Sequence, residues 1–396
     1  MKEAGKQAFH RGGGDHALRD DLAESSVHAD RKMCLSRTRL WRRLGAFKRT
    51  YQGKRHKMFR SLARQEETGH RSVSQQNSRL ALEASVALTR LDERLAASPA
   101  PVRSGWIARG LIYEAAASLR LDGQYVPAHD LLLLLNNALD RTPGQDTGRA
   151  VNIHSMLSTL SRRKARHLFS PRKVMALAQL RLRDNSGRPV LPAWLESRRQ
   201  SPETMRTALE DALNPQAVAS WKTLPPVEAS AKIIRHWRDV GAAECIGAAH
   251  GRVLAMAWLP RTGMMSGYYL LPSIGFLGHA HEYRPDLDRQ WPDFFLKACL
   301  RSAEWGFKLH GHLTAAHRRL HDAASAHRPT SHLPELTDLL IATPVLSASQ
   351  AGTALRITSH SARAILSALE KRGLIHEVTG RASFRFYTPT PFMHLR

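Results

Sequence analysis

The chain has 396 residues, of which 42% are hydrophobic, and its formal net charge of +25 gives a pI near 10.9. This length allows two or three domains, and the positive charge favours a polyanionic partner such as nucleic acid. The three widely spaced cysteines, Cys34, Cys245 and Cys299, exclude a disulfide framework. No apolar run reaches the roughly 18 residues of a membrane span, so we expect a cytoplasmic protein without a membrane partner.

Residues 1–78 combine a Gly-Gly-Gly run, dispersed Arg and Lys, and a segment rich in Gln, Ser and Asn. Such a composition buries too little apolar surface to offset the entropy lost on ordering, so we predict a disordered basic arm. The arm either tethers nucleic acid through its charges and the aromatic rings of Trp41, Phe47 and Tyr51, or is a solvated tail.

Residues 79–328 show helical periodicity, with apolar side chains recurring every three or four positions. We expect a loop over residues 141–150 and helices again from Ile153 to Arg183. The predicted fold class is therefore mainly α. A helical core domain precedes the C-terminal part of the chain, residues 329–396, which has its own pattern.

The C-terminal pattern is that of a helix-turn-helix. Leu336, Leu339 and Leu340 predict one apolar helix face, Ser347 and Thr358 are placed to cap a second and a third helix, and Gly373 is placed to end the third. The segments LIHEV and SFRFYT then predict a small β-hairpin, or wing. This arrangement is similar to the winged helix of bacterial regulators.

The third helix predicts a DNA-contacting tip. Ala362, Ile365, Leu366 and Leu369 should face inward, which leaves polar residues exposed at the N-terminal end, where recognition helices meet base edges and phosphate. The candidate DNA-binding residues are Thr358, Ser359, His360, Ser361 and Arg363 on this helix and Arg381, Ser383 and Arg385 on the wing. Winged helices also serve as protein-contact modules, which is the alternative use of this surface.

A second motif lies in residues 244–259, ECIGAAHGRVLAMAWL, which are followed by a Gly-containing turn and the segment WPDFFL. Together with the later winged helix, this order resembles the core of Fic-domain proteins, which carry the motif HPFxDGNGRxxR. The resemblance covers residues 80–390. It implies a helical fold and, in active members, transfer of a nucleotide or phosphate to a protein hydroxyl.

The match to this motif is incomplete. When the two sequences are aligned on Gly251 and Arg252, Glu244 stands in place of the family's histidine base, Ala248 in place of its metal-binding acid and Ala255 in place of its second arginine. We expect no nucleotidyl transfer, no cofactor and no catalytic residues. A protein nucleotidylyltransferase with an altered motif is the alternative function. His250, Gly251 and Arg252 remain a candidate anion site.

The segment SLRLDG at residues 118–123 resembles the inhibitory motif S/T-x-x-x-E-G/N of some Fic proteins, with Ser118, Asp122 and Gly123 at the matching positions. In the family its glutamate pairs with the second motif arginine, whose place Ala255 takes here. An ordinary helix-ending turn explains Asp122 and Gly123 equally well.

A closer resemblance is to bacterial proteins without an established activity, in which a degenerate domain of this kind precedes a helix-turn-helix DNA-binding domain. They share the pattern of GWIARGLIYEAAASLRLDGQYV at residues 105–126. This resemblance supports the architecture more than the function. From the winged helix we expect a DNA-binding protein that acts as a transcriptional regulator, with DNA as its partner and a homodimer as a candidate assembly.

Histidine pairs occur at His279 and His281, at His310 and His312, and at His317 and His321. Spacings of this kind are compatible with zinc. No Cys, Asp or Glu completes a ligand set whose geometry can be read from the sequence, so we predict no metal site and place His317 and His321 on the wet face of a basic helix.

Overall fold

A computed structural model describes residues 77–136, 145–162, 168–178, 182–183, 189–190, 201–278, 290–325 and 332–389. The predicted disordered arm lies outside these ranges, except that residues 77 and 78 begin the first helix. From Gln75 onward the described residues belong to one compact unit. Within the described ranges, each helix is too short or too polar to cross a membrane.

The described chain up to residue 325 is mainly helical, and we call this part the helical body. Its helices are α1 (77–96), α2 (Ala100–Leu121), α3 (Ala128–Leu135), α4 (Gln145–Ser161), α5 (Pro171–Ala178), α6 (Pro202–Ala212), α7 (Pro215–Lys222), α8 (Pro226–Asp239), α9 (Ala242–Cys245), α10 (Ala248–Thr262), α11 (Pro272–Leu277) and α12 (Trp291–Ser325). One short antiparallel pair joins β1 (Leu182–Arg183) to β2 (Pro189–Val190).

Two expectations for this region were wrong in part. The predicted loop over residues 141–150 gives way to α4 at Gln145, because Gln145 and Asp146 start a helix as readily as they close a turn. The predicted helix to Arg183 ends earlier, since α5 stops at Ala178 and Leu182–Arg183 form β1.

Helix α2 is the centre of the helical body and is buried around most of its circumference. Helices α4, α11 and α12 pack against it. The indole Nε1 of Trp106 donates to the carbonyl of Gly306 in α12 at 2.9 Å. Gly306 permits this approach, because a Cβ there would lie 3.1 Å from the Trp106 ring and 2.6 Å from the side chain of Leu91. A helix that is buried nearly all round belongs in a core, so α2 fixes the positions of its neighbours.

A second apolar cluster lies between α8 and α10. Trp221 and Trp258 meet edge to face with ring centroids 5.8 Å apart, and Phe169 packs on Trp258 at 5.1 Å. Such aromatic pairs stabilise a core beyond the area that they bury. These rings therefore hold α7 and the segment before α5 against α10.

The C-terminal part contains three helices and a three-stranded sheet. The elements are α13 (Leu333–Ala342), β3 (Leu346–Ser347), α14 (Ala348–Leu355), α15 (Ser359–Lys371), β4 (His376–Glu377) and β5 (Phe386–Thr388). The sheet is antiparallel in the order β3-β5-β4, with Leu346 opposite Tyr387 and His376 opposite Thr388. The predicted mainly α fold with a small hairpin is confirmed, and β3 is an additional strand that the sequence did not indicate.

The helix ends in this part follow the sequence signals. Ser347 and Gln350 form a capping box at the start of α14, and the Thr358 hydroxyl accepts from the Ser361 amide at 3.0 Å at the start of α15. Gly373 follows α15 with φ +68°, a left-handed conformation that glycine adopts without strain. The cap predictions for Ser347, Thr358 and Gly373 are confirmed.

The helix-turn-helix is packed firmly on α2. A Cβ on Gly105 would lie 2.1 Å from the Ile341 carbonyl oxygen, so only glycine permits this contact between α2 and α13. The buried guanidinium of Arg109 donates to the carbonyls of Ile341 at 2.8 Å and Thr343 at 2.9 Å. It thereby satisfies carbonyls at the C-terminal end of α13. Burial lowers the pKa of Arg109 to about 10, which leaves it charged at pH 7.

Candidate nucleic-acid interface

The N-terminal end of α15 presents polar side chains to solvent. Ser359, His360, Ser361 and Arg363 are all exposed. The opposite face of the helix is anchored in the core by Ala362, Leu366 and Leu369, with Ile365 half-buried. The predicted division of this helix into an inner and an outer face is therefore confirmed. Thr358 is also exposed, and its hydroxyl is already engaged as the cap of α15.

The turn between α14 and α15 brings a further cation to this surface. Arg356 ends α14 in a left-handed conformation with φ +55° and is exposed. A Cβ on Gly352 would lie 2.9 Å from the carbonyl oxygen of Ile357, so glycine allows the tight approach of α14 to the turn. Sequence reasoning missed Arg356, although its position two residues before the cap Thr358 was a usable signal.

The hairpin between β4 and β5 is held by Glu377. Its carboxylate accepts from the backbone amides of Thr379 and Gly380, each at 2.8 Å. Burial would raise the pKa of Glu377, but these hydrogen bonds outweigh it and lower the pKa. The turn is therefore closed by a charged acceptor.

The predicted wing residues differ in their surroundings. Ser383 is exposed, and Arg381 is half-buried. Arg385 is exposed but is also engaged within the domain. Its Nε donates to the carbonyl of Arg381 at 3.1 Å, and its Nη1 lies 3.6 Å from a carboxylate oxygen of Glu370 on α15. Arg385 therefore links the hairpin to α15 as well as presenting charge to solvent.

Phe384, at the end of the hairpin, is an aromatic residue that sequence reasoning missed. Its side chain is 80% exposed, and its backbone is left-handed with φ +54°. A large apolar residue in this position costs free energy both in hydration and in backbone conformation. It lies next to Arg385 in a short RASFR sequence, which is the signal that could have identified it.

The predicted residues Ser118, Asp122 and Arg252 meet near the C-terminal end of α2. Together with Glu114, which the sequence did not indicate, we call them the Arg252 cluster. The Arg252 guanidinium donates to the Ser118 hydroxyl at 2.6 Å, to the Ser118 carbonyl at 3.2 Å and to Asp122 Oδ1 at 3.2 Å. The side chain of Arg252 is only 9% exposed. Asp122 thus pairs with Arg252, whereas the resemblance had aligned its partner position with Ala255.

Glu114 lies one helical turn before Ser118 and is fully buried. Its two carboxylate oxygens accept from the amides of Ser273 at 2.9 Å and Ile274 at 3.2 Å, so it caps α11. Burial raises the pKa of Glu114 to about 7, although these hydrogen bonds and nearby Arg252 lower it. The carboxyl group is therefore partly protonated near neutral pH.

The candidate anion site, His250, Gly251 and Arg252, is built into the core. A Cβ on Gly251 would lie 2.8 Å from the ring of Trp237, so this glycine provides space for packing. The His250 ring lies nearly parallel to Trp237, with centroids 6.4 Å apart. Burial, with a smaller contribution from the charge of Arg252, lowers the pKa of His250 to about 4, so the ring is neutral at pH 7. The packing explains Gly251 without a ligand.

A cavity of about 200 Å³ adjoins this region, and its wall includes Asp122, Glu244, Ala248 and Arg252. The motif positions aligned from the sequence thus converge on one cavity. Ala248 begins α10 and contributes only a methyl group, while Glu244 is exposed on α9. The N–H groups of Arg252 that face Ser118 and Asp122 are already used. Gly123 follows with φ +81°, as an ordinary helix-ending turn requires.

Comparison with known proteins identifies the class of domain to which the C-terminal part belongs. Residues 333–387 match a family model described as an HTH DNA-binding domain. The match begins at the first residue of α13 and ends within β5. The chain therefore contains a C-terminal helix-turn-helix domain of the DNA-binding type.

Over its greater length, the chain is similar to the "Uncharacterized protein y4cF" of Sinorhizobium fredii (strain NBRC 101917 / NGR234). The two sequences are 26% identical, and the similarity covers 78% of this chain and 95% of the relative. Because it covers 78% of the chain, this similarity extends beyond residues 333–387 into the helical body.

Proposed function

We propose that the protein binds DNA through α15 and the β4–β5 hairpin and acts as a transcriptional regulator. The observation that carries this proposal is the coincidence of the family match over residues 333–387 with the exposed polar tip of α15. In this arrangement α15 enters the major groove and the hairpin serves as a wing along the backbone. Arg363 then meets a base edge, whereas Arg381 meets phosphate.

The charges around α15 support this orientation. Arg356, Arg363, Lys371 and Arg372 are exposed on α14, α15 and the turns that follow them. Glu370, on the same helix, lies beside Arg385, so part of its negative charge is compensated. Cations near the phosphates release condensed counterions, which makes binding strong at low salt and sensitive to salt.

The test is selection of DNA fragments from a random library by the purified full chain, followed by affinity measurements at several salt concentrations. We expect one enriched sequence that binds at least about 1,000-fold more tightly than scrambled DNA. Two half-sites about 10 base pairs apart would indicate that the protein binds as a homodimer. Equal affinity for all sequences, or no binding at low salt, would exclude the proposal.

For the helical body, we propose a Fic-like architecture without transferase activity. Convergence of Glu244, Ala248 and Arg252 on one cavity supports the architecture. Activity would need an acidic oxygen for the metal, which Ala248 does not supply, and a free arginine for phosphate, whereas Arg252 is bonded to Ser118 and Asp122.

Incubation with labelled nucleoside triphosphates, magnesium and a cell extract should then label no protein above background. Labelling that disappears in Glu244→Ala would instead establish the alternative, a nucleotidylyltransferase with an altered motif. The matched control is Glu335→Ala, which changes an exposed glutamate on α13, outside the motif.

A further inference from the structure

Two histidines and an aspartate from different helices converge beside the helix-turn-helix. His317 and His321 lie one turn apart on α12, and Asp338 lies on α13. The Nε2 atoms of His317 and His321 are 3.1 and 3.0 Å from the same oxygen, Asp338 Oδ1. Among the described residues, no other group of three His, Cys, Asp or Glu side chains brings its ligand atoms within 4.8 Å of one another.

The residue types and their arrangement match the requirements of a transition-metal ion. Imidazole nitrogen and carboxylate oxygen are ordinary zinc ligands, at roughly 2.0 to 2.2 Å from the metal. Histidines at i and i+4 present their rings on one helix face, and these two ring centroids are 4.3 Å apart. Small changes of side-chain torsion would place an ion between the two Nε2 atoms and Oδ1.

The exposure of the three side chains suits an ion that enters from solvent. His317 is 16% exposed, while His321 and Asp338 are 43% and 46% exposed. The inner histidine is held by packing, and the outer two ligands leave space for water as a fourth ligand. Three protein ligands and one water are the arrangement of an open tetrahedral zinc site.

We propose that His317, His321 and Asp338 form a binding site for a divalent transition metal of the zinc class. The ion links α12 of the helical body to α13, the first helix of the DNA-binding domain. Arg109 on α2 already binds the C-terminal end of α13. The metal therefore adds a second connection between the helical body and the DNA-binding domain, from α12 to Asp338 of the same helix.

The proposal can be tested with the full chain after removal of metal with a chelator. Isothermal titration calorimetry with zinc should show one binding site. Titration with cobalt, followed by absorption spectroscopy, should show the visible bands of tetrahedral cobalt. Asp338→Asn and His321→Ala should each weaken this site at least 10-fold and abolish the zinc-dependent rise in Tm. Both positions are partly exposed, so the variants should retain the helical circular dichroism of the wild type.

Two matched controls separate this site from the other histidines of the chain. His312→Ala and Asp322→Asn alter exposed side chains on the same helix, α12, and should leave zinc affinity unchanged. Zinc binding that survives both Asp338→Asn and His321→Ala would overturn the proposal. So would the absence of zinc binding in the wild type, in which case the three residues form only a hydrogen-bonded triad. Neither result depends on whether the protein binds DNA.

Discussion

Arg363 and Arg252 carry the same side chain in opposite surroundings. Arg363 is exposed on the outer face of α15, whereas Arg252 is buried in the helical body and hydrogen-bonded to Ser118 and Asp122. An exposed guanidinium can exchange its water for a phosphate or a base edge. A buried one has already exchanged water for groups of its own chain. Arg363 should therefore contribute to DNA binding and Arg252 to the stability of the fold.

The largest expected effect comes from Glu114, the buried acid of the Arg252 cluster. Its folded-state pKa of about 7 lies above the ordinary value of 4.5, so between these pH values the folded chain binds a proton that the unfolded chain releases. This carboxyl group therefore lowers the free energy of unfolding as pH rises from about 4.5 to 7, by roughly 3 kcal/mol in total.

Glu114→Gln should abolish this pH dependence. The free energy of unfolding of the variant minus that of the wild type, measured by urea denaturation, should rise by roughly 3 kcal/mol between pH 4.5 and 7.5. His250 and His154, whose pKa values burial lowers to about 4, act in the opposite direction but cancel in this difference. Glu335→Gln, at an exposed position, is the control. A constant difference for Glu114→Gln would contradict the assignment.

Removal of Arg252 tests the comparison itself. Arg252→Ala should lower the free energy of unfolding by roughly 2 to 3 kcal/mol, because buried Ser118 loses a charged partner and Asp122 loses its counter-ion. This loss of unfolding free energy is smaller than the loss expected for a wholly buried ion pair, because the Asp122 side chain is 37% exposed.

The comparison also predicts that effects on DNA affinity and on stability separate between Arg252→Ala and Arg363→Ala. Below its melting transition, Arg252→Ala should bind the selected DNA as tightly as wild type, and Arg363→Ala should unfold as the wild type does. A loss of DNA affinity in folded Arg252→Ala, without loss of stability, would reverse the assigned roles and point to an anion site in the cavity.

The helix-turn-helix could be predicted because its determinants are local. Caps at Ser347 and Thr358, the stop at Gly373 and the apolar face of α15 each lie within a few residues of the element that they define. The small strand β3 was missed, since two residues have no periodicity, and Leu346 is a strand residue only through its pairing with Tyr387.

The side-chain contacts inside the helical body could not be predicted, because the residues that form them are distant in sequence. Ser118 and Arg252 were both singled out, but their contact spans 134 residues and could not be derived from either motif. Arg109 meets the Ile341 carbonyl across 232 residues. Asp338 completes the histidine pair from a different helix. In each case an ionisable side chain finds its partner only after the helices have packed.

The central claim is that α15 reads DNA and the hairpin follows its backbone. Salt-titrated binding of wild type, Arg363→Ala and Arg381→Ala to the selected and a scrambled oligonucleotide tests it most directly. Arg363→Ala should cost roughly 1 to 3 kcal/mol on the selected site and reduce its preference over the scrambled one. Arg381→Ala should weaken both alike and lower the salt dependence by about one phosphate contact. If neither substitution changes affinity for either DNA, the claim is contradicted.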